Sequence, residues 1–466
     1  VALRPLDSTR SRLLAVIALS VALYAATVGH GFAWDDYPIV VDNPLIRSLD
    51  RLPALVSSPE WKGLDHVMYR PLTGVTYALN HAVSGLSPWS YHATNVVLHA
   101  LASALLLLVG LRLGLRPGAA TAAAVLFAIH PIHVEAVANV VGRKDLLAAA
   151  FSFAAFLLHR RALLRGGACL AWPVLALAGA ALSKESGVVA LGLLALHDLA
   201  SPRPDGAPVP VRRRAVLYVA YLATLAAYLV LRSAMVAGTG GPTSLNDNVA
   251  AHLGGAERVM TGLAVIGKGL ALQLVPLGQS PDWSFAAIPA VGSPADLHLV
   301  ATVAALLAWL AAGIALRRRA PVVLVGLAWY LGTLLPVSNL LFATGVQFAE
   351  RLLYLPSAGL ALAVAGGASA LAARAPRAAS RVVALCVAIS LCAATLSYSH
   401  AWGDELRLFR HGAESAPGSS RVHMMLAFLL AGRGEPAAAL PEAELAIALN
   451  PWMQGAHVAR AQALGA

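Results

Sequence analysis

YHATNVVLHALASALLLLVGLR, residues 91–112, decides the fold class. The run from Tyr91 to Leu111 is long enough, as a helix, to cross a hydrocarbon core of about 30 Å. It closes on Arg112, with Arg116 four residues further on, the basic flank expected where a span meets the cytoplasm. Apolar runs of this kind recur along a chain of 466 residues that is 58% hydrophobic and only 12% charged. That is too apolar for an ordinary soluble domain and too long for one small core. The chain is therefore expected to be an all-α polytopic protein of the lipid bilayer.

The net charge of +11 does not indicate a nucleic-acid partner. The basic residues form short clusters between apolar runs: Arg160 and Arg161, residues 212 to 214, residues 317 to 319, and Arg374 with Arg377. There is no long basic tract and no nucleic-acid motif. Cys169, Cys386 and Cys392 fall inside apolar runs, where they act as small apolar residues and imply neither a disulfide framework nor a metal site.

Positive-inside asymmetry sets an expected topology. Arg4, Arg10 and Arg12 place the N-terminus in the cytoplasm, and the first run, about 13–29, lacks a convincing cleavage site and is taken as an uncleaved span. Residues 30–90 form the first extracytoplasmic loop, with short helices along the membrane. Spans then follow at about 91–111, 118–129, 146–158, 168–182, 187–199, 215–231, 297–316, 322–335, 355–371 and 382–396, about eleven in all, leaving the C-terminus outside. A Pro-rich cytoplasmic loop precedes residue 212. One crossing at 258–275 would break parity, and its glycines and Lys268 suit a re-entrant or interfacial helix.

The membrane domain is expected to occupy 1–399, with a soluble segment over 400–466. SSRVHMMLAFLLAGRGEPAAALPEAELAIALNP, residues 419–451, has helix–turn–helix form. Leu426, Ala427, Leu430, Ala439, Ala446 and Pro451 fall at the small and apolar positions of a tetratricopeptide repeat. A second repeat from Gln454 is a fragment, with Arg460 where an apolar residue is expected. One repeat cannot bury its own face, so it must pack on the membrane domain or on a partner. The chain begins at Val1 and ends inside a repeat, which suits a truncated sequence or an unusual start.

The polar clusters all fall on the external side of this topology. They are WDDYPIVVDNP with Asp35, Asp36 and Asp42, MYRPLTGVTYALNHA with Arg70, HPIHVEAVANVVGRKDLL with His130, His133, Glu135, Arg143, Lys144 and Asp145, LSKESG with Lys184 and Glu185, and QFAERLLYLPSAG with Glu350, Arg351 and Tyr354. A transporter would concentrate such groups near the bilayer midplane, and a channel along a pore. Convergence on one face suits an enzyme acting at the membrane surface. Acids supply a general base, and Arg and Lys supply phosphate contacts. Each cluster has a simpler use. Paired acids cap helices, Lys184 pairs with a nearby acid, and Arg351 pairs with Glu350. His130, His133 and Glu135 are ligand types for a divalent metal, but their spacing is not diagnostic.

FAWDD, MYRPLTGVTYALN, YHATNVVLHA, FAIHPIHVEAVANVVGRKDLL, ALSKES and FAERLLYLPSAG, in this order before a repeat, resemble the transmembrane and tetratricopeptide repeat-containing (TMTC-like) O-mannosyltransferases and their bacterial relatives. The resemblance implies a GT-C glycosyltransferase fold and an inverting transfer outside the cytoplasm. A sugar, mannose in this family, would pass from a polyprenyl-phosphate donor to a Ser or Thr hydroxyl of an acceptor protein or peptide. It implies Asp35 or Asp36 as the catalytic acid of the first loop. Arg143, Lys144, Lys184, Arg351 and Arg70 would bind the donor phosphate. His130, His133, Glu135, Asp145, Glu185, Glu350 and Tyr354 complete the candidate site. Animal members carry long repeat arrays, which this chain lacks. The alternative is a membrane-anchored repeat scaffold for envelope or secretion partners, and a lipid flippase ranks below it. High Ala, Leu and Arg content suits a GC-rich bacterial genome and an inner-membrane address.

Overall fold

The computed structural model describes residues 9–60, 68–200, 210–237, 243–372 and 376–465. Arg4, the Pro-rich loop over 201–209 and Arg374 lie outside them. The described chain is helical without a named strand; one isolated bridge joins Glu60 to Met68. α1 (Thr9–Tyr24) runs on through a 3-10 turn to Gly29. The segment after α1 is, in its described residues, a series of short turns with α2 (Leu52–Val56) and α3 (Pro71–Ser84). Next come α4 (Trp89–Arg112), α5 (Pro117–Ile129), α6 (Val134–Ala138) and α7 (Arg143–Arg165). α8 (Ala171–Ser183), α9 (Ala190–Ala200), α10 (Val211–Val236), α11 (Gly255–Leu274) and α12 (Leu297–Leu316) follow. α13 (Val322–Leu334), α14 (Tyr354–Leu371) and α15 (Arg377–Ala401) complete the membrane part. The remainder is α16 (Glu405–Ser415), α17 (Ser420–Gly432), α18 (Pro436–Leu449) and α19 (Gln454–Gly465).

Among the described residues, seven helices are long and apolar enough to cross a bilayer, and eight if the bent pair after Pro117 counts as one span. The chain is an integral membrane protein. Of the eleven expected spans, those at 168–182, 187–199 and 322–335 are shorter than a full crossing. α9, for instance, has 11 residues, only about 16 Å of helix. The span at 118–129 continues past a 53° bend into α6. Pro131 causes the bend: it lacks an N–H and holds His130 in an extended conformation (ψ 127°). The expected re-entrant element at 258–275 is an unbroken helix of 20 residues, α11, with Glu257, Arg258 and Lys268 on it.

Burial separates inner from outer helices. The apolar windows of α4, α7 and α14 are 61, 67 and 72% buried inside the protein, against 17, 17 and 22% for α10, α12 and α15. The outer three present Val219, Val230, Leu307, Val383 and Ile389 to the surroundings, as lipid-facing helices do. α13 and α14 meet at Gly326 and Gly359. A Cβ on Gly326 would sit 2.4 Å from the Gly359 carbonyl oxygen, and one on Gly359 2.6 Å from that of Gly326. Close backbone approach through small residues is a usual basis of helix packing in bilayers.

α16 to α19 pack on the membrane part. Ser419 Oγ donates to Asp282 Oδ2 (2.6 Å), Arg421 pairs with Asp282 and Asp247, and His411 Nε2 donates to the Gln279 carbonyl (3.0 Å). Leu426, Ala427, Leu430, Ala439 and Ala446 are buried as the repeat pattern requires. Arg460 points outward beside Glu444, so it displaces no core residue. Gly359→Ala is expected to cost about 1–3 kcal/mol by overpacking and to lower the thermal midpoint in detergent, whereas Gly332→Ala, which meets open space, leaves it unchanged.

Candidate active site

The GRKD turn organises the site. Helical residues are spaced 100° apart, so Arg143, Lys144 and Asp145 in the first turn of α7 point three ways. Gly142 permits the approach, since a Cβ there would lie 2.3 Å from the Ala136 carbonyl oxygen. Arg143 is fully buried. Its Nε donates to Asn95 Oδ1 (2.9 Å), Nη1 to Asn80 Oδ1 (2.5 Å) and Thr76 Oγ1 (3.2 Å), and Nη2 to the Tyr91 carbonyl (2.7 Å). Its guanidinium also stacks over the Tyr77 ring at 4.7 Å. All three nitrogens hold α3 and α4 against α7, so Arg143 has a structural position in place of the expected phosphate contact.

The next positions build a charged cluster. Lys184 donates to Asp145 Oδ1. Arg70 makes a two-pronged pair with Glu185 (2.9 and 2.7 Å) and reaches Glu60 at 3.0 Å. Burial alone would raise the Glu185 carboxyl, but the charge and hydrogen bonds of Arg70 outweigh it and hold Glu185 well below the usual range. Arg351 pairs with Glu135 through both its side chain and its backbone N–H, not with its neighbour Glu350. Three of the expected phosphate-binding residues, Arg70, Lys184 and Arg351, are thus already matched with acids.

Asp35 and Asp36 are consecutive residues of the turn that follows Ala33. Asp36 is fully buried, and its two oxygens accept the N–H groups of Ala33 (3.1 Å) and Val141 (3.0 Å). It ties the loop after α1 to the turn before α7. Burial outweighs these bonds and pushes its carboxyl up to about 7. Asp35 is only partly buried and has no hydrogen-bond partner among the described residues. It lies within electrostatic range of Lys144, Arg351 and Arg421. Lys144 is 4% exposed and likewise has no hydrogen-bond partner among the described residues. The cluster therefore leaves one acid and one cation unmatched, side by side in charge terms.

The other candidates are placed as supports. His130 Nε2 donates to the Gln273 carbonyl (2.8 Å) while Nδ1 accepts the Ile132 N–H (3.1 Å). His133 Nδ1 donates to the Phe127 carbonyl and Nε2 accepts from Ser357 Oγ, both at 2.7 Å. Every ring nitrogen of the two is engaged and Glu135 holds Arg351, so these three do not form the metal site their types allowed. Tyr354 donates to His99 Nδ1 (2.7 Å). Glu350 accepts from Ser280 N and Trp283 Nε1 (2.8 and 3.1 Å), and its Oε2 has no partner among the described residues. A cavity beside the Lys184–Asp145 pair is lined by Ser186, Val189, Val337, Leu352, Leu355 and Pro356.

Three supporting residues were not singled out in the sequence. Glu60 shares Arg70, and His99 holds Tyr354; both needed the fold to be found. Glu405 Oε1 accepts the Trp34 N–H at 2.8 Å, and Phe409 packs edge-on against the Trp34 ring at 5.7 Å. Trp34 has φ +48°, a left-handed conformation uncommon for a bulky residue, so α16 holds the turn that presents Asp35.

No protein-family model matches the chain. Protein O-mannosyl-transferase F38B6.6 of Caenorhabditis elegans is 28% identical over 91% of this chain and 60% of its own length. Mouse protein O-mannosyl-transferase TMTC4 is 30% identical over 92% and 65%, and mouse TMTC3 is 31% identical over 76% and 41%. The chain is a homologue of the TMTC protein O-mannosyl-transferases. It spans about two-fifths to two-thirds of the length of these relatives. Among solved structures, ArnT from Cupriavidus metallidurans bound to undecaprenyl phosphate aligns with TM-score 0.46 and 12% identity, over 97% of this chain and 76% of that one. The Archaeoglobus fulgidus oligosaccharyltransferase aligns at 0.42 and 13%, over 94% and 59%.

In this TMTC homologue the Arg70–Glu185 pair sets a pH signature. Glu185 stays ionised in the folded state below its ordinary pKa of 4.5. The stability it contributes is present above that pH and drains away as pH falls through the lower folded value. Thermal midpoints measured between pH 3 and 6 should drop on acidification for the wild type and drop less for Glu185→Gln.

Proposed function

We propose that this TMTC homologue is a membrane mannosyltransferase of GT-C type. It transfers mannose from a polyprenyl-phosphate donor to a Ser or Thr hydroxyl of a protein acceptor on the extracytoplasmic side. One observation carries the reading: after the ion pairs are matched, Asp35 and Lys144 are the acid and the cation of the cluster left without hydrogen-bond partners among the described residues.

The chemistry follows from these two groups. Asp35 accepts the proton of the acceptor hydroxyl as its oxygen attacks the anomeric carbon. The bond from that carbon to the phosphate oxygen breaks on the opposite face, so the configuration inverts. The leaving polyprenyl phosphate takes the bonding electrons, and Lys144 stabilises the added negative charge. A phosphate leaves without protonation, so no second acid is needed. Arg351 and Arg70 are held and charge-matched by Glu135, Glu60 and Glu185, which leaves Lys144 as the cation free to meet the phosphate.

The C-terminal segment serves the site as well as any scaffold role, because Glu405 holds the turn before Asp35. Deleting the C-terminal segment would disturb catalysis as well as docking. Reconstitution in vesicles with polyprenyl-phosphate mannose and a Ser/Thr peptide tests the proposal. The wild type should form an α- or β-mannosyl peptide of configuration opposite to the donor. Lys144→Met should lower kcat about 100-fold, the size of losing one charge-stabilising donor, with an unchanged thermal midpoint. An active Lys144→Met enzyme, or no transfer by the wild type, would contradict it. Glu405→Ala should lower kcat several-fold, and Glu405→Gln, which keeps an acceptor oxygen for Trp34, should restore most of the rate.

A further inference from the structure

About 22 Å along α7 from Lys144, at 1.5 Å per residue, a second polar cluster is buried where α7, α9 and α10 meet. It contains His159, His197 and Asp198, whose candidate ligand atoms lie within 4.8 Å of one another. His159 and His197 are 0 and 2% exposed. His159 Nε2 is 3.1 Å from Asp198 Oδ1, and His197 Nδ1 is 3.7 Å from the same oxygen. Four-coordinate zinc, with bonds of about 2.0–2.1 Å, places its ligand atoms roughly 3.3 Å apart. The two measured edges bracket that spacing.

His197 supplies a second, independent observation. Neither of its ring nitrogens has a hydrogen-bond partner among the described residues, although the side chain is buried. An imidazole buried with both nitrogens bare loses its hydration without return. Its neighbours do not share the deficit. His159 Nδ1 is 2.9 Å from the Tyr221 hydroxyl, and Asp198 Oδ2 accepts from Tyr218 (3.2 Å) with Arg214 Nε at 3.3 Å. Those contacts fix the far side of each group and leave Asp198 Oδ1 and the His197 ring facing each other. A hydrogen bond that orients the ligand's other atom is the usual outer shell of a metal site.

We propose that His159, His197 and Asp198 bind a zinc-like divalent cation that staples the short helix α9 to α7, with a fourth position for water. Two imidazoles and one carboxylate favour zinc or cobalt over magnesium or calcium. α9, a helix of 11 residues, supplies two of the ligands, and α7 supplies the third.

The full chain, purified with a tag free of histidine, stripped with chelator and dialysed against equimolar Zn²⁺ or Co²⁺, tests this. The expected result is one metal per chain, visible absorption of tetrahedral strength for the cobalt form, and a thermal midpoint raised by zinc. His197→Ala and Asp198→Asn should lose the metal, while His298→Ala, at a highly exposed position, should keep it. Should the site variants fail to fold, the wild-type cobalt spectrum and X-ray absorption decide, since two imidazole ligands are required. No metal retained by the wild type, an octahedral spectrum, or equal retention by a folded His197→Ala protein would overturn the proposal.

Discussion

The buried guanidinium of Arg143 is the constraint on which the site depends. A charge without water is tolerated only when its donors are met, and here two asparagines, a threonine and a backbone carbonyl from α3 and α4 meet them. That requirement fixes the rotation of α7 about its axis. Once Arg143 faces α3 and α4, the residues on either side of it in the turn have their directions set. Asp145 is delivered towards Lys184, and Lys144 is buried with Asp35 among the charges in range of it.

The rest of the cluster is organised by matching. Low dielectric makes an unpaired buried charge costly, and Arg70, Lys184 and Arg351 each have an acid within reach. The two groups left over are those a transfer to a hydroxyl needs. Asp36 contributes by holding the loop. Its bonds to Ala33 and Val141 join FAWDD to the turn that begins α7, so the acid-bearing loop and the cation-bearing helix move as one piece.

Much of the fold was legible in the sequence. α4, α7, α12, α14 and α15 coincide with apolar runs closed by charge, because bilayer thickness imposes a length that hydropathy reveals. The runs at 168–182, 187–199 and 322–335 form helices shorter than a full crossing, and apolar composition alone does not separate a crossing helix from a short one packed among others. The site was legible as a set of motifs but not as a set of roles. Arg351 and its acid are 216 positions apart in sequence, so no local pattern announces the pair. Asp35 and Asp36 are chemically identical neighbours, and only the backbone turn decides which is buried. Glu405 lies in the segment read as a repeat, where an exposed acid at a helix start carries no functional signal.

The most direct measurement is the mannosyl-transfer rate of Asp35→Asn and Asp36→Asn proteins, each normalised to its folded fraction. The expected result is loss of transfer by at least 100-fold in Asp35→Asn with a wild-type thermal midpoint, in line with removal of a general base. Asp36→Asn should lower the midpoint and keep transfer per folded molecule within a few-fold of wild type. An active Asp35→Asn protein beside an inactive, fully stable Asp36→Asn protein would contradict the assignment of the two acids.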